Sequence, residues 1–152
     1  MPDTKKNKDL KYDCSTVILM KVAFVLYTNK NKPIDIDSLK KGNSNKYKIE
    51  VDPSRMNDFD YSVMPSSNFE ASVQKVANGT VDGLIVSQTI GDPLLKKLGF
   101  KNIKRQLWFE YDEHFSIQKG AIGTEVDKML TEGVVKLTGG FEKDSKYNNW
   151  PP

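Results

Sequence analysis

The stretch FEASVQKVANGTVDGLIVSQ, Phe69 to Gln88, constrains the fold more than any other part of the chain. Phe69, Val73, Val76 and Ala77 recur at helical spacing, and Ser67 with Glu70 forms an S-x-x-E capping box ahead of them. Asn78 and Gly79 supply a left-handed stop, because these residue types tolerate the positive φ that ends many helices. Leu84 to Val86 then form an apolar run without polar alternation, which predicts a core strand. Asp82 falls in the turn before it, where its carboxylate is placed to bond backbone amides between helix and strand. Ser87 and Gln88 end the strand.

The same alternation extends to both sides. KVAFVLYT, Lys21 to Thr28, reads as a strand buried for most of its length, and YKIEV, Tyr47 to Val51, as a strand with one wet face. A helical turn is expected at Asp37 to Lys41, closed by Gly42. Asp52 caps a turn that begins at Pro53, where a missing amide hydrogen costs least, and DYSVMPSS adds a strand ending at Pro65. Downstream, Asp92 before Pro93 predicts a helix stopped by Gly99. NIKRQLWF and HFSIQKG read as two strands joined by the acidic turn EYDE, Glu110 to Glu113. A last helix starts at Thr124, with Asp127 three residues on and Val126, Met129, Leu130, Val134 and Leu137 at helical spacing. A further short helix is expected to dock Phe141, Tyr147 and Trp150. Strands that alternate with helices imply an α/β three-layer sandwich with a mainly parallel sheet.

The chain has 152 residues, 38% of them hydrophobic and 28% charged, which suits one compact soluble unit and disfavours disorder. No run approaches the roughly twenty apolar residues a membrane helix requires. The net charge of +3 is spread over interleaved acids and bases, and the basic start, Thr4 to Lys11, reads as a solvated tail rather than a nucleic-acid contact. One cysteine, Cys14, rules out an internal disulfide and a cysteine-based metal framework. One histidine, His114, has no second imidazole with which to share a metal and reads as a packed or edge residue.

No glycine loop of the phosphate-cradling or dinucleotide-binding type is present, so no cofactor is expected. The carboxylate pairs Asp58 with Asp60 and Asp112 with Glu113 lie in polar turns and read as solvated. Trp108, Phe109, Tyr111 and Phe115 read as core and hinge packing, with an aromatic ligand platform as the alternative. In α/β sheets, ligands bind beyond the carboxyl ends of strands. Ser54 and Arg55 follow one such end and Ser87 and Gln88 another, so these four are the candidate ligand contacts; Arg55 as an ordinary surface residue is the alternative.

Taken in order, these stretches resemble the bacterial extracellular solute-binding proteins of family 3, which have the type 2 periplasmic-binding-protein fold. FEASVQKVANGTVDGLIVSQTIGDPLLKKLG is similar to that family's helix, Gly-x-x-Asp turn, strand and following helix. FSIQKG is similar to its returning strand, VDKMLTEGVVKL with GFEKDSKYNNW to its C-terminal helices, and KKNKDLKYDCSTVIL to the segment entering the hinge. The resemblance implies a hinge-proximal remnant of a first lobe over residues 1–20, an α/β ligand-binding lobe over 21–120 and C-terminal helices over 121–152.

It also implies a non-catalytic receptor for a small polar solute, such as an amino acid or related compound, that is recognised by an ABC transporter permease. Such a receptor touches the membrane only through the transporter and has no nucleic-acid partner. It would be periplasmic or extracellular, its signal peptide removed before this chain begins. Where the family keeps the Arg that pairs with a substrate carboxylate, this chain offers Lys8 beside Asn7, and where the family keeps an Asp for the substrate ammonium it has Ser87. These changes point away from an ordinary α-amino acid and toward an anionic or neutral polar ligand. A sensor input domain, an enzyme using His114 or Asp13, and an isolated interaction module remain as alternatives.

Overall fold

The computed structural model describes residues 11–41 and 46–139. Lys8, Asn7, the basic tail up to Leu10, Gly42 and the expected helix carrying Phe141, Tyr147 and Trp150 lie outside the described residues. The elements run β1 (Tyr12–Asn29), α1 (Ile36–Lys40), β2 (Ile49–Val51), a 3-10 helix (Pro53–Asp58), β3 (Met64–Pro65), α2 (Phe69–Asn78), β4 (Gly83–Ser87), α3 (Gln88–Leu98), β5 (Ile103–Gln118) and α4 (Glu125–Thr138). One five-stranded sheet has the order β3-β2-β4-β1-β5. The pairing around β2 is parallel on both sides, to β3 and to β4, and β1 is antiparallel to β4, so the sheet is mixed.

Two compact units share the two long strands, the division falling after Val22 in β1 and after Phe109 in β5. The unit Ala23–Phe109 is built on β4, whose five residues are all buried. Strand alternation sends Val25, Tyr27, Leu84 and Val86 into one cluster with Val73, Val76 and Ala77 of α2, and Ile90, Leu94, Leu95 and Leu98 of α3 pack against it. Leu26, Leu39, Ile49, Val51 and Ile85 are buried as well but lie outside that cluster. A Cβ on Gly83 would come 2.9 Å from Leu26 Cδ1 and 3.1 Å from Ile49 Cδ1, which places Leu26 and Ile49 together on the other face. Burial of both faces makes a three-layer α/β arrangement, each fully buried Val, Leu or Ile contributing about 1.5–3 kcal/mol.

Helix α2 buries Val73, Val76 and Ala77, with Phe69 half-buried beside them. Its cap is Asn68, whose side chain accepts from the Ala71 amide, so the cap lies one residue after the expected Ser67 box. Gly79 closes the helix at φ +75°, and the freed carbonyl of Ala77 accepts from both Asn29 Nδ2 and Asn102 Nδ2 at 2.8 Å. Asp82 bonds a backbone amide, but a distant one and not one of its own turn: its carboxylate accepts from the Lys48 amide at 2.8 Å, ahead of β2, and its own N–H donates to the Lys48 carbonyl.

Helix α3 differs from expectation. It begins at Gln88, five residues before Pro93, with Ser87 as its cap, and Pro93 lies inside it. Asp92 is therefore a helix residue and not a cap. Its buried carboxylate accepts from Arg105 Nε at 2.7 Å, Arg105 Nη2 at 2.6 Å and Tyr27 Oη at 2.9 Å. Burial, with Asp92 alongside, pushes the Tyr27 phenol above its ordinary range, so it remains an O–H donor.

The other unit contains the first half of β1, the second half of β5 and α4. Here β5 runs without a break through Glu110 to Glu113, where a turn was expected. The physical reason is pairing: Asp112 meets the Lys21 ammonium at 2.7 Å, so its charge serves a strand and not a turn. His114 is a packed residue, its Nδ1 bonding the carbonyls of Ser15 at 2.8 Å and Val17 at 3.2 Å. Asp13 accepts from the Gly120 amide at 2.6 Å.

Asp127 was expected to complete a capping box with Thr124, but Thr124 makes no side-chain cap bond. The buried Asp127 carboxylate instead accepts from the Gly123 amide and, across to β1, from the Thr16 amide, both at 2.9 Å. The apolar stripe of α4 also differs: Val134 is buried, but Val126, Met129 and Leu137 are 56%, 63% and 88% exposed, since no described residue covers that face.

Asp127 gives the unit a pH dependence. The Gly123 amide first, then the Thr16 amide, holds its carboxyl below the usual 3.8. A depressed folded-state pKa means stabilisation that is complete above the ordinary carboxylate range and is lost as pH falls through the folded value. Hydrogen-exchange protection of the Thr16 and Gly123 amides is expected to be level from pH 7 to about 5 and to fall below about 4. In Asp127→Asn it is lower throughout and level with pH. Unchanged protection in the wild type down to pH 2 would contradict this.

Candidate functional site

Parallel pairing of β2 with β4 brings two strand ends to one edge of the sheet. Val51 pairs with Ile85, and the Asp52 amide donates to the Ile85 carbonyl at 3.3 Å, so the turn after β2 lies beside the exit of β4. Ser54 and Arg55 belong to that turn, and Ser87 and Gln88 to the start of α3. The four candidate contacts are thus brought to the same end of the sheet, where a ligand of an α/β layer is expected.

The local chemistry at each is specific. Asp52 caps the 3-10 helix, accepting from Ser54 N at 2.9 Å and from Ser54 Oγ at 2.7 Å. The donors of Ser54 are therefore engaged by the chain's own carboxylate. Arg55 is half-buried, pairs with Asp58 at 3.3 Å and lays its guanidinium 5.1 Å over the Phe24 ring. Phe24 in turn stacks on Phe109, with centroids 5.0 Å apart and planes within 4°. Since Phe24 is the register partner of Ser87, the layered guanidinium and rings lie next to the β4 exit. Ser87 is 8% exposed, accepts from Thr89 N at 3.3 Å and shares a 2.8 Å bond with Thr89 Oγ1. Gln88 is half-buried at the first position of α3.

The polar groups at this edge are a guanidinium laid on an aromatic platform, a hydroxyl pair at Ser87 and Thr89, and the side-chain amide of Gln88. The residues missed in the sequence are Phe24 and Thr89. Thr89 follows from the cap position at Ser87, but Phe24 needed the β1–β4 register. Trp108 belongs elsewhere: buried, it stacks on Phe59 at 6.0 Å with Lys40 Nζ 5.2 Å over its ring. Among the described residues no group of three His, Cys, Asp or Glu side chains could hold a metal ion, and no helix is long and apolar enough to cross a membrane.

No family model matches the sequence, and no curated protein does. Solved structures do. The arginine-, lysine-, histidine-binding protein ArtJ of Geobacillus stearothermophilus is 15% identical with a TM-score of 0.54, covering 90% of this chain and 60% of its own. The GluR0 ligand-binding core of Nostoc punctiforme, solved with L-glutamate, is 10% identical with a TM-score of 0.60, covering 90% and 63%. A histidine kinase sensor domain described as similar to periplasmic binding proteins is 13% identical with a TM-score of 0.58, covering 84% and 58%. The chain therefore spans about three fifths of the length of these structures. Its mixed five-stranded sheet, with helices packed on it and these neighbours around it, is the fold of the type 2 periplasmic solute-binding proteins, represented here by part of their length.

Proposed function

We propose that this chain is the ligand-binding portion of a solute-binding protein that serves an ABC-type transporter outside the cytoplasmic membrane. It takes a small polar solute at Ser54, Arg55, Ser87 and Gln88 and performs no chemistry on it. The carrying observation is the convergence of the turn after β2 and the start of α3 at one sheet edge, with the Arg55 guanidinium held over Phe24. Closure of a second lobe over this edge would desolvate the ligand and create the form a permease recognises. Neighbours whose descriptions name amino-acid binding support the reading.

The charge at the edge favours an anionic or neutral solute. Arg55, though paired with Asp58 at 3.3 Å, is the guanidinium beside it, and Ser87 offers a hydroxyl where an ammonium would need a carboxylate. Ser87→Asp is therefore the informative substitution. Aspartate caps a helix about as well as serine, so the cap of α3 is kept, while the edge gains a carboxylate. Calorimetric titration with organic acids, neutral amides and amino acids is expected to show anionic or neutral solutes preferred by the wild type and amino acids gained by Ser87→Asp. An identical panel for both proteins would remove Ser87 from the site.

A second reading, a sensor input domain, draws on the likeness to the histidine kinase sensor domain. It uses the same edge and the same ligand chemistry. A membrane helix followed by a signalling module in the parent reading frame would favour it over a transport receptor.

A further inference from the structure

A second group of side chains in the unit Ala23–Phe109 is built like a site and has no part in the solute edge. Phe59 packs edge-on to Tyr61 at 5.5 Å and stacks on Trp108 at 6.0 Å, so three rings form a continuous aromatic wall. They border an open cavity of about 500 Å³ together with Lys40, Lys41 and Asp60, a size within the roughly 300–1,000 Å³ of small-molecule sites. The Tyr61 hydroxyl is shut off from solvent and has no hydrogen-bond partner among the described residues. Buried hydroxyls are normally satisfied, so this one marks a polar contact that the described residues leave unmade.

The charges around the cavity select the ligand. Asp58, which also borders it, is already matched by Arg55 at 3.3 Å. Two ammonium groups, on Lys40 and Lys41, then face a single remaining carboxylate, on Asp60. A cationic ligand would bring a third positive charge beside Lys41 and the Lys40 ammonium, which stands 5.2 Å from the Trp108 ring centroid. An anion gains from both lysines instead. Burial pushes the Tyr61 phenol up to about 12, so at neutral pH it is an O–H donor that needs an acceptor.

We propose that this cavity binds an aromatic carboxylate, its ring against Phe59, Tyr61 and Trp108 and its carboxylate shared between Lys40, Lys41 and the Tyr61 hydroxyl. The ring stacking gives the preference for an arene, and the two lysines give the sign of the charge. The Tyr61 hydroxyl has no bond to another described residue to give up when it meets the ligand.

The test is titration of the full chain with phenylacetate, indole-3-acetate and phenethylamine, read from the Trp108 indole N–H signal and the backbone amides. The acids are expected to shift Trp108 and residues 58–61 saturably, indole-3-acetate more tightly than phenylacetate, and the amine to leave them unmoved. Lys40→Met should weaken indole-3-acetate about tenfold and Tyr61→Phe, which keeps the ring and the fold, about fivefold. Ser87→Ala should leave this binding unchanged, which separates the cavity from the solute edge. The proposal is overturned by an amine that binds as well as the acids, by equal affinity in Lys40→Met, by shifts centred on residues 87–89, or by no saturable shift of Trp108 up to 10 mM ligand.

Discussion

Replacing Asp92 by alanine is expected to destabilise the unit Ala23–Phe109 by about 3–5 kcal/mol, the cost typical of breaking a buried ion pair from one side. Both side chains of the pair are almost fully buried, 9% exposed for Arg105 and 7% for Asp92, and the contact is bidentate. Without the carboxylate, the almost fully buried guanidinium loses a bidentate counter-charge, and the Tyr27 hydroxyl loses its acceptor as well. For a unit of this size the loss lowers Tm by on the order of 15–30 °C, readable by circular dichroism. The pair is not irreplaceable as packing. Asp92→Leu with Arg105→Met and Tyr27→Phe removes every buried polar group of the set together and is expected to restore most of the stability. An Asp92→Ala variant that melts within 3 °C of the wild type would show that the pair is open to water.

Gly91 precedes Asp92, and its replacement acts on the same tyrosine. A Cβ there would lie 2.3 Å from both Cζ and Oη of Tyr27, and Tyr27 is fully buried, so the ring has no open space to enter. Two effects oppose each other in Gly91→Ala. Alanine improves helix propensity by about 1 kcal/mol. Overpacking costs about 1–3 kcal/mol, and displacing the ring also strains a charge-assisted bond to Asp92 of about 1.5–3 kcal/mol. The clash wins, and a net destabilisation of about 2–4 kcal/mol is expected in urea unfolding. The two residues are coupled, so in a Tyr27→Leu background the added cost of Gly91→Ala should fall below about 1 kcal/mol. Equal costs in both backgrounds would mean that the ring is not what the new methyl meets.

These effects illustrate what local sequence conveys and what it does not. The buried face of α2, the stop at Gly79, the core strand β4 and the cap at Asp52 follow from short-range rules, and each is in place. Asp92 looked like a cap because it precedes a proline, but Arg105, 13 residues on, claims its carboxylate. Asp127 likewise looked like half of a capping box, and its second donor is Thr16, 111 residues away. The acidic EYDE segment stays extended because Asp112 has Lys21 as a partner. In each case a long-range charge or amide outweighed a local preference of about 1 kcal/mol.

The candidate site was legible for the same reason that α2 was. Once strands and helices alternate, the ends of β2 and β4 are expected to meet, and Ser54, Arg55, Ser87 and Gln88 are carried there together. Hidden in the sequence was the use each side chain makes of its own neighbours. Ser54 serves Asp52, Ser87 serves Thr89, and Arg55 is held between Asp58 and the ring of Phe24. The side chains at this edge are thus held in place by bonds within the chain.

The central claim is that a small polar solute is taken at this edge, separately from the aromatic cavity. Residue-resolved amide shifts during titration with small organic acids and neutral polar amides test it most directly. The account predicts saturable shifts concentrated in residues 52–55 and 87–89 for at least one such solute, abolished in Arg55→Ala while the melting temperature stays within a few degrees. No saturable shift in either segment with any solute of the panel, or shifts there that persist in full in Arg55→Ala, would contradict it.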